Sequence, residues 1–289
     1  MKLISFGEII WDVFSDGATL GGAPLNLAAH AALLGIEAHI ASAVGNDELG
    51  ARSVREINRL GLSTDTISVT DKAPTGRCTV TLDGGGVPSY EIDKVSAYDF
   101  IDAAHPISAD VICFGTLALR YESNMKALEK MLRTGNFSEV FCDLNIRPPF
   151  YSKDSVEFCL SNATTVKMSD VDMNYVKELL SENKTEEREF IKLLSIKYPQ
   201  IKLIILTKGE LGSLCYESKT QSFTECGIEK TEVVSTVGAG DSFCAAFLSE
   251  YLKTKSIPLS MKKAAALSAF VVSRRGAIPE DTSNFLLSL

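Results

Sequence analysis

The chain has 289 residues, 45% of them hydrophobic and 23% charged, with a formal net charge of −8. That length suits one large α/β domain, and the composition is that of a folded chain with a core of ordinary size, not a disordered one. The acidic balance repels phosphate backbones and argues against general nucleic-acid binding, while leaving room for a local basic pocket. No apolar run reaches the roughly 18 residues that a membrane span needs. No small-residue cleavage site follows the opening MKLISFGEII, so no signal peptide is read and no membrane partner is expected. Seven cysteines, an odd number without a C-x-x-C pair, sit largely in apolar runs such as DVICFG and EVFCD. They read as reduced, buried thiols, and a cytoplasmic location is expected.

In chain order, LISF at 3–6 is a strand candidate that ends at Gly7. Residues 23–34 carry apolar positions at helical spacing, with Gly35 as a C-terminal cap. EAHIASAVG at 37–45 returns to strand, and Asp47 caps a helix that runs to about Leu60 and stops at Gly61. Residues 65–95 are rich in Thr, Val, Ser and Gly and alternate at period two, which predicts several short antiparallel strands with a GGG turn at 84–86. Strand and helix then alternate. Strands are predicted at 109–115, 138–145, 163–169 and 202–207, and helices at 122–132, 152–161, 170–181 and 185–196. GSLCYE and QSFTE form a hairpin, and two final helices cover 239–254 and 258–273. Buried apolar strands between helices predict a mostly parallel sheet flanked by helices, with the Thr/Gly-rich insert as a small β-sheet lid.

STVGAGDSF at 235–243 is the strongest local signal for chemistry. Small residues just before an amphipathic helix let backbone N–H groups converge on one point, a ready anion site. Asp241 stands in the first turn of that helix. Beside an anion site a carboxylate suits a base that accepts a hydroxyl proton as a phosphoryl group arrives. An acidic residue near a helix N-terminus is equally explained as helix capping, and the segment alone leaves the two readings open. The chain has no Walker A loop and no G-x-G-x-x-G after its first strand. His30, His39 and His105 show no metal-binding spacing and read as structural or surface residues. Trp11 and Phe14 read equally as an apolar wall for a ligand or as packing beneath the lid.

Four segments in order resemble the pfkB (ribokinase-like) family of carbohydrate kinases. GGAPLNLA at 21–28 matches the family's N-terminal G-G-x-x-x-N-x-A, and TKGELGS at 207–213 its T-x-G-x-x-G nucleotide segment. GAGD at 238–241 matches the C-terminal signature, and GAIP at 276–279 the tail. The resemblance spans essentially the whole chain and implies a single ribokinase-like kinase domain over 1–289, with a β lid formed by about 11–20 and 65–95.

The resemblance also implies roles. Asp241 would be the base, with Gly238, Ala239 and Gly240 as the anion hole. Thr207, Lys208, Gly209 and Gly212 would line the nucleotide. Gly22, Asn26 and Asp12 (in GEIIWD) would hold sugar hydroxyls, and Tyr90 would face the ligand from the lid. DLNIR at 143–147 is similar to a D-x-N-x-R segment of fructokinase-like members and follows a strand, where open α/β sheets bind ligands. Asn145 and Arg147 would contact substrate, with Arg147 able to fork onto phosphate oxygens. ATP and Mg²⁺ are the implied co-substrate and metal. Two departures from the family pattern stand out. Ser169 and Asp172 replace the usual N-x-x-E, and would position Mg²⁺ only through water. Ser235 replaces an Asp that binds a monovalent cation in potassium-activated members, so strong potassium activation is not expected.

GE-x-x-x-D, GGAP and DLNIR together favour fructose as acceptor, phosphorylated at a primary hydroxyl to fructose 6-phosphate. 2-Keto-3-deoxygluconate and then ribose are the alternatives. From another class, a catalytically silent sugar-binding regulator on the same fold is weighed, and the intact GAGD argues against it. A homodimer through the lid is expected because exposed strand edges tend to be paired or covered.

Overall fold

The computed structural model describes residues 1–15, 17–82, 88–102 and 108–287, with the side chains of residues 80, 82 and 88–90 outside that description. The predicted GGG turn at 84–86 and His105 therefore lie outside the described residues. Nine strands form one sheet. They are β1 (Lys2–Phe6), β4 (Glu37–Gly45), β5 (Ile67–Thr70), β8 (Val111–Phe114), β9 (Glu139–Asp143), β10 (Thr165–Ser169), β11 (Leu203–Thr207), β12 (Ser213–Glu217) and β13 (Ser222–Cys226). Their order across the sheet is β13-β12-β11-β10-β9-β8-β1-β4-β5. Pairing is parallel from β5 through β11, and β12 and β13 add an antiparallel hairpin at the edge.

Two cores follow from the period-two alternation of these strands. Leu3, Ile40, Val111, Leu203 and Ile205 face one side, where α1 (Ala23–Leu33), α2 (Glu48–Arg59), α7 (Ala239–Thr254) and α8 (Ile257–Val272) bury Leu25, Ile57, Phe247 and Leu267. Ile4, Phe6, Ile112, Ile204 and Leu206 face the other. There α3 (Glu122–Thr134), α4 (Lys153–Asn162), α5 (Asp170–Leu179) and α6 (Glu187–Lys197) bury Leu128, Leu160, Val176 and Phe190. A short α9 (Thr282–Leu286) docks on α8. The central strands are apolar on both faces because both faces are covered. No helix among the described residues is long and apolar enough to cross a membrane.

A second sheet of four strands, in the order β3-β2-β6-β7, forms the lid from β2 (Ile10–Phe14), β3 (Gly17–Gly21), β6 (Gly76–Leu82) and β7 (Pro88–Ile92). The lid is smaller than the sequence suggests. Ile67–Thr70, expected within it, instead pairs parallel with Ser42–Gly45 as the edge of the large sheet. A strand that short carries no signal of which sheet it joins. β2 also pairs with β6 in parallel, not antiparallel.

Arg120 fixes the root of the lid. Its Nε and Nη2 both donate to Asp99 at 2.7 Å, and Nη1 donates to the carbonyl of Asp93 just beyond β7. Its guanidinium also lies over the rings of Tyr98 and Phe150.

Trp11 is settled as packing. It is fully buried, its Nε1 donates to Ser53 Oγ at 2.8 Å, and Arg52 stacks on its ring. Alternation then puts its neighbour Asp12 on the opposite face of β2. Phe14 is 42% exposed. All seven cysteines are free, and all but Cys226 are buried.

Candidate active site

The C-terminal ends of β1, β8, β9, β10 and β11 and the start of α7 meet at one place, the end of an open parallel sheet where ligands bind. α7 begins on Gly238, which has a φ of 80° that favours glycine. A Cβ there would lie 2.6 Å from Ala277 Cα, in the GAIP tail. Gly238 thus serves shape, letting the tail close on the helix start. Ala277 also accepts a hydrogen bond from His30 Nε2 at 2.8 Å. Burial keeps His30 neutral by lowering its pKa, so it is structural, as expected.

The first intrahelical bond of α7 runs from Ser242 N to Gly238 O at 2.9 Å, and Ala239 N turns back to Thr236 O at 3.3 Å. The N–H groups of Gly240 and Asp241 lie in the open first turn, where a helix leaves donors unpaired.

Asp241 is 9% exposed, and its Oδ2 accepts from Asn26 Nδ2 at 2.8 Å. Burial is the main cause that pushes its carboxyl up to about 6. Asp143 adds to that rise, while the Asn26 hydrogen bond and the charges of Lys167 and Arg147 oppose it. A base with a pKa just below neutrality is ionised at pH 7 yet still able to take a proton.

Two cavities meet at this helix start. One, of about 340 Å³, lies between the β11–β12 turn and the α7–α8 pair, lined among others by Thr207, Gly209, Gly212, Ala239, Gly240 and Phe243. The other, of about 20 Å³, is lined among others by Ser5, Glu8, Asp143, Asn145 and Asp241. Consecutive residues of α7 thus face the larger cavity (Gly240) and the smaller one (Asp241). Gly212 has a φ of 85°, and a Cβ there would meet Cys226 O at 2.4 Å, so glycine shapes the larger cavity.

The other predicted residues divide. Asn145 reaches the small cavity in a left-handed conformation (φ 41°). Arg147 is exposed, yet its charge acts on Glu8, Cys78 and Asp241. Asp12 is half-buried at the lid root, its carboxyl raised by desolvation. Gly22 is the N-cap of α1, and a Cβ there would strike Glu8 O at 2.4 Å. Tyr90 belongs to β7, opposite Val80, and its side chain is outside the described set. Lys208, between Thr207 and Gly209 of the larger cavity's lining, has its ammonium 3.2 Å from Glu187 on α6. Ser169 and Asp172 form a reciprocal capping box at the start of α5. Asp172 also accepts from Ile146 N at 2.8 Å, which ties the DLNIR loop to that helix.

Sequence reasoning missed two residues. Lys167 is buried on β10 and pairs with both oxygens of Asp143 at 3.0 and 3.1 Å. Its Nζ lies 3.2 Å from where a Cβ on Gly240 would stand, bringing a cation beneath the helix start. Glu8 is 4% exposed at the end of β1. Lys167 left only a charged residue inside an apolar run as its trace, and Glu8 appeared only as a letter of GE-x-x-x-D, with no role of its own.

The pfkB family carbohydrate kinase model matches residues 2–283. Probable fructokinase-3 of Arabidopsis thaliana is 27% identical over 311 residues, covering 96% of this chain and 87% of that protein. Fructokinase-2 of Solanum habrochaites is 26% identical, covering 96% and 92%. Among solved structures, fructokinase from Xylella fastidiosa with bound ATP superposes with a TM-score of 0.85 at 22% identity, over 99% of this chain and 98% of that one. A putative ribokinase II from E. coli in complex with ATP and Mg²⁺ superposes with a TM-score of 0.82 at 21% identity, over 99% of each chain. Fold, site and family model agree: the chain belongs to the pfkB family of carbohydrate kinases. It is an enzyme that transfers a phosphoryl group to an alcohol acceptor.

Proposed function

We propose that this carbohydrate kinase transfers the γ-phosphoryl group of ATP to a primary hydroxyl of fructose, with Asp241 as the general base. The observation that carries the reading is the start of α7, where Gly240 faces a cavity of about 340 Å³ and Asp241 a second, smaller one. A nucleotide in the first and an acceptor above the second would meet at the open N–H groups between them. Asn26 orients the Asp241 carboxylate so that it accepts the acceptor's proton. The N–H groups of Gly240 and Asp241, with Lys167 beneath, face the charge that develops on the transferring group. Asp12, Gly22, Asn145 and Arg147 orient the sugar from the lid root and the β9 loop, and Tyr90 approaches it from the lid. Lid closure would exclude water.

Among the described residues no group of three or more His, Cys, Asp or Glu is arranged to hold a metal ion directly. Mg²⁺ fits on other terms, since it keeps most of its waters and is held mainly by nucleotide phosphates. Asp172 accepts three hydrogen bonds, from Ser169 N, Ser169 Oγ and Ile146 N. Those bonds leave a carboxylate fixed in place with acceptor sites for metal-bound water. When bound, Mg²⁺ neutralises phosphate charge.

Fructose leads because curated relatives matching 96% of the chain are named fructokinases. A cytoplasmic location belongs to the same reading, supported by free, mostly buried cysteines. So does a homodimer through the lid, supported by the lid's two edge strands, β3 and β7. An ADP-release assay on a panel of fructose, 2-keto-3-deoxygluconate and ribose tests the substrate. Turnover on fructose with the highest kcat/KM is expected. Preference for either other sugar replaces fructose, and saturable sugar binding without any turnover would favour the silent regulator.

A further inference from the structure

Glu8 is a buried acid for which the reaction has so far found no use. The backbone amides of its own residue and of Ala23, the first residue of α1, favour its charged form against the desolvation of burial. It lines the same small cavity as Asp241. Ser5 lines that cavity too, fully buried, and its hydroxyl has no hydrogen-bond partner. A buried hydroxyl without a partner is costly. A cavity of about 20 Å³ has room for one water, which needs two to four polar partners, and Ser5, Glu8 and Asp241 bring polar groups to an otherwise largely apolar lining.

The charged and titratable groups around the pair come from several elements. Glu8 feels the attraction of Arg147 from the β9 loop and the repulsion of Asp241 from α7. The phenol of Tyr98 is within reach of its charge. Asp241 feels Asp143 on β9, Lys167 on β10 and Arg147, and is hydrogen-bonded by Asn26 on α1. Burial first, and then Asp241, push Glu8 up to about 7, against about 6 for Asp241. Two carboxyls on one cavity do not both ionise cheaply, and they titrate as a pair.

We propose that one water occupies this cavity, bound by Ser5, Glu8 and Asp241, and that Glu8 is the proton-holding partner that keeps Asp241 as the ionised member of the pair. Glu8 is a positioning residue, and its importance for turnover rests on the reading of Asp241 as the base.

The test starts without activity. Carboxyl-carbon NMR follows Glu8 through a pH titration in the wild-type protein and in Asp241→Asn. A Glu8 midpoint near 7 is expected in the wild type. In Asp241→Asn it falls, because the neighbouring charge is gone. A midpoint at the ordinary glutamate value of about 4.3, or one that Asp241→Asn leaves in place, overturns the pairing. A high-resolution crystal structure is expected to show a water within hydrogen-bond distance of Ser5 Oγ, and an empty cavity there overturns the water site.

Kinetics then separate this pairing from the role of Asp241. Wild-type kcat is expected to fall again above about pH 7 as Glu8 ionises, and Glu8→Gln loses that upper step while keeping the acid limb. If Asp241→Asn is inactive but Glu8→Gln follows the wild-type profile at every pH, the base stands and the pairing fails. If Asp241→Asn stays active, the base fails, and the NMR midpoints still decide the pairing.

Discussion

Asn26 and Asp241 are 215 residues apart in the chain and meet at 2.8 Å, side-chain amide to carboxylate, both buried. The bond joins the first motif of the sequence to the third through the packing of α1 on α7. It favours the ionised form of a carboxyl that burial would otherwise keep neutral.

Removing that donor is expected to move the acid limb of activity. In Asn26→Ala the Asp241 carboxyl loses the hydrogen bond that lowers its pKa, so its midpoint rises above the present value of about 6. At pH 7 less of Asp241 is then ionised, and kcat is expected to fall, with the acid limb displaced to higher pH. A kcat–pH profile measures this. A limb that does not move would mean that Asn26 serves the sugar and not the base.

Asp241→Asn is expected to lower kcat by roughly 10²–10⁴-fold, the usual cost of losing a general base, with nucleotide binding retained. It is also expected to stabilise the fold. The folded pKa is raised from 3.8 to about 6, so the unfavourable charge is absent below 3.8 and fully present above 6. Stability is therefore lost as pH rises through that window. Replacing the carboxylate by an amide should recover on the order of 2–3 kcal/mol at pH 8 and almost nothing at pH 3. Denaturant unfolding at the two pH values reads the difference. Equal stabilities at pH 8 would mean that Asp241 is better solvated than its burial implies.

The elements and motifs of this chain were legible because they are local. Gly35 and Asp47 mark helix ends by chemistry that needs no distant partner, and the four motif segments carry their spacing within a few residues. Contacts across the fold were not legible. Asp143 was read only as the first letter of a motif, and Lys167 only as a strand residue. Their ion pair depends on β9 and β10 lying side by side in register, Asp143 opposite Lys167. Lys208 sits inside a nucleotide motif, and its ion pair with Glu187 on α6 was likewise not legible. Ile67–Thr70 has the alternation of a lid strand, and only its pairing with β4 assigns it to the large sheet.

The Asp143–Lys167 pair is nearly fully buried, at 10% and 7% side-chain exposure. Lys167→Met leaves Asp143 charged and unpaired, and is expected to cost about 3–5 kcal/mol. Adding Asp143→Asn removes the orphaned charge, and the double variant should recover most of that loss. Activity should not return with stability, because the cation beneath the start of α7 is still missing. A double-mutant cycle in unfolding and in kcat separates the two effects. Full recovery of kcat in the double variant would reduce the pair to a structural role.

Gly240→Ala separates the helix from its chemistry more finely. Gly240 lies in the first turn of α7 at ordinary helical geometry, and alanine is the better helix former by up to about 1 kcal/mol. The only near neighbour of the added methyl would be Lys167 Nζ at 3.2 Å. That ammonium is pinned by Asp143 and has little freedom to retreat. The methyl would press on that cation in the lining of the larger cavity, beside the N–H groups proposed to face the transferring phosphoryl group. Thermal stability is expected to stay level or rise slightly, while kcat falls about tenfold or more, the scale of weakening one electrostatic contact to the transition state. A variant as active as the wild type would mean that Gly240 is small for packing alone, and that the donors to the phosphoryl group lie elsewhere in the turn.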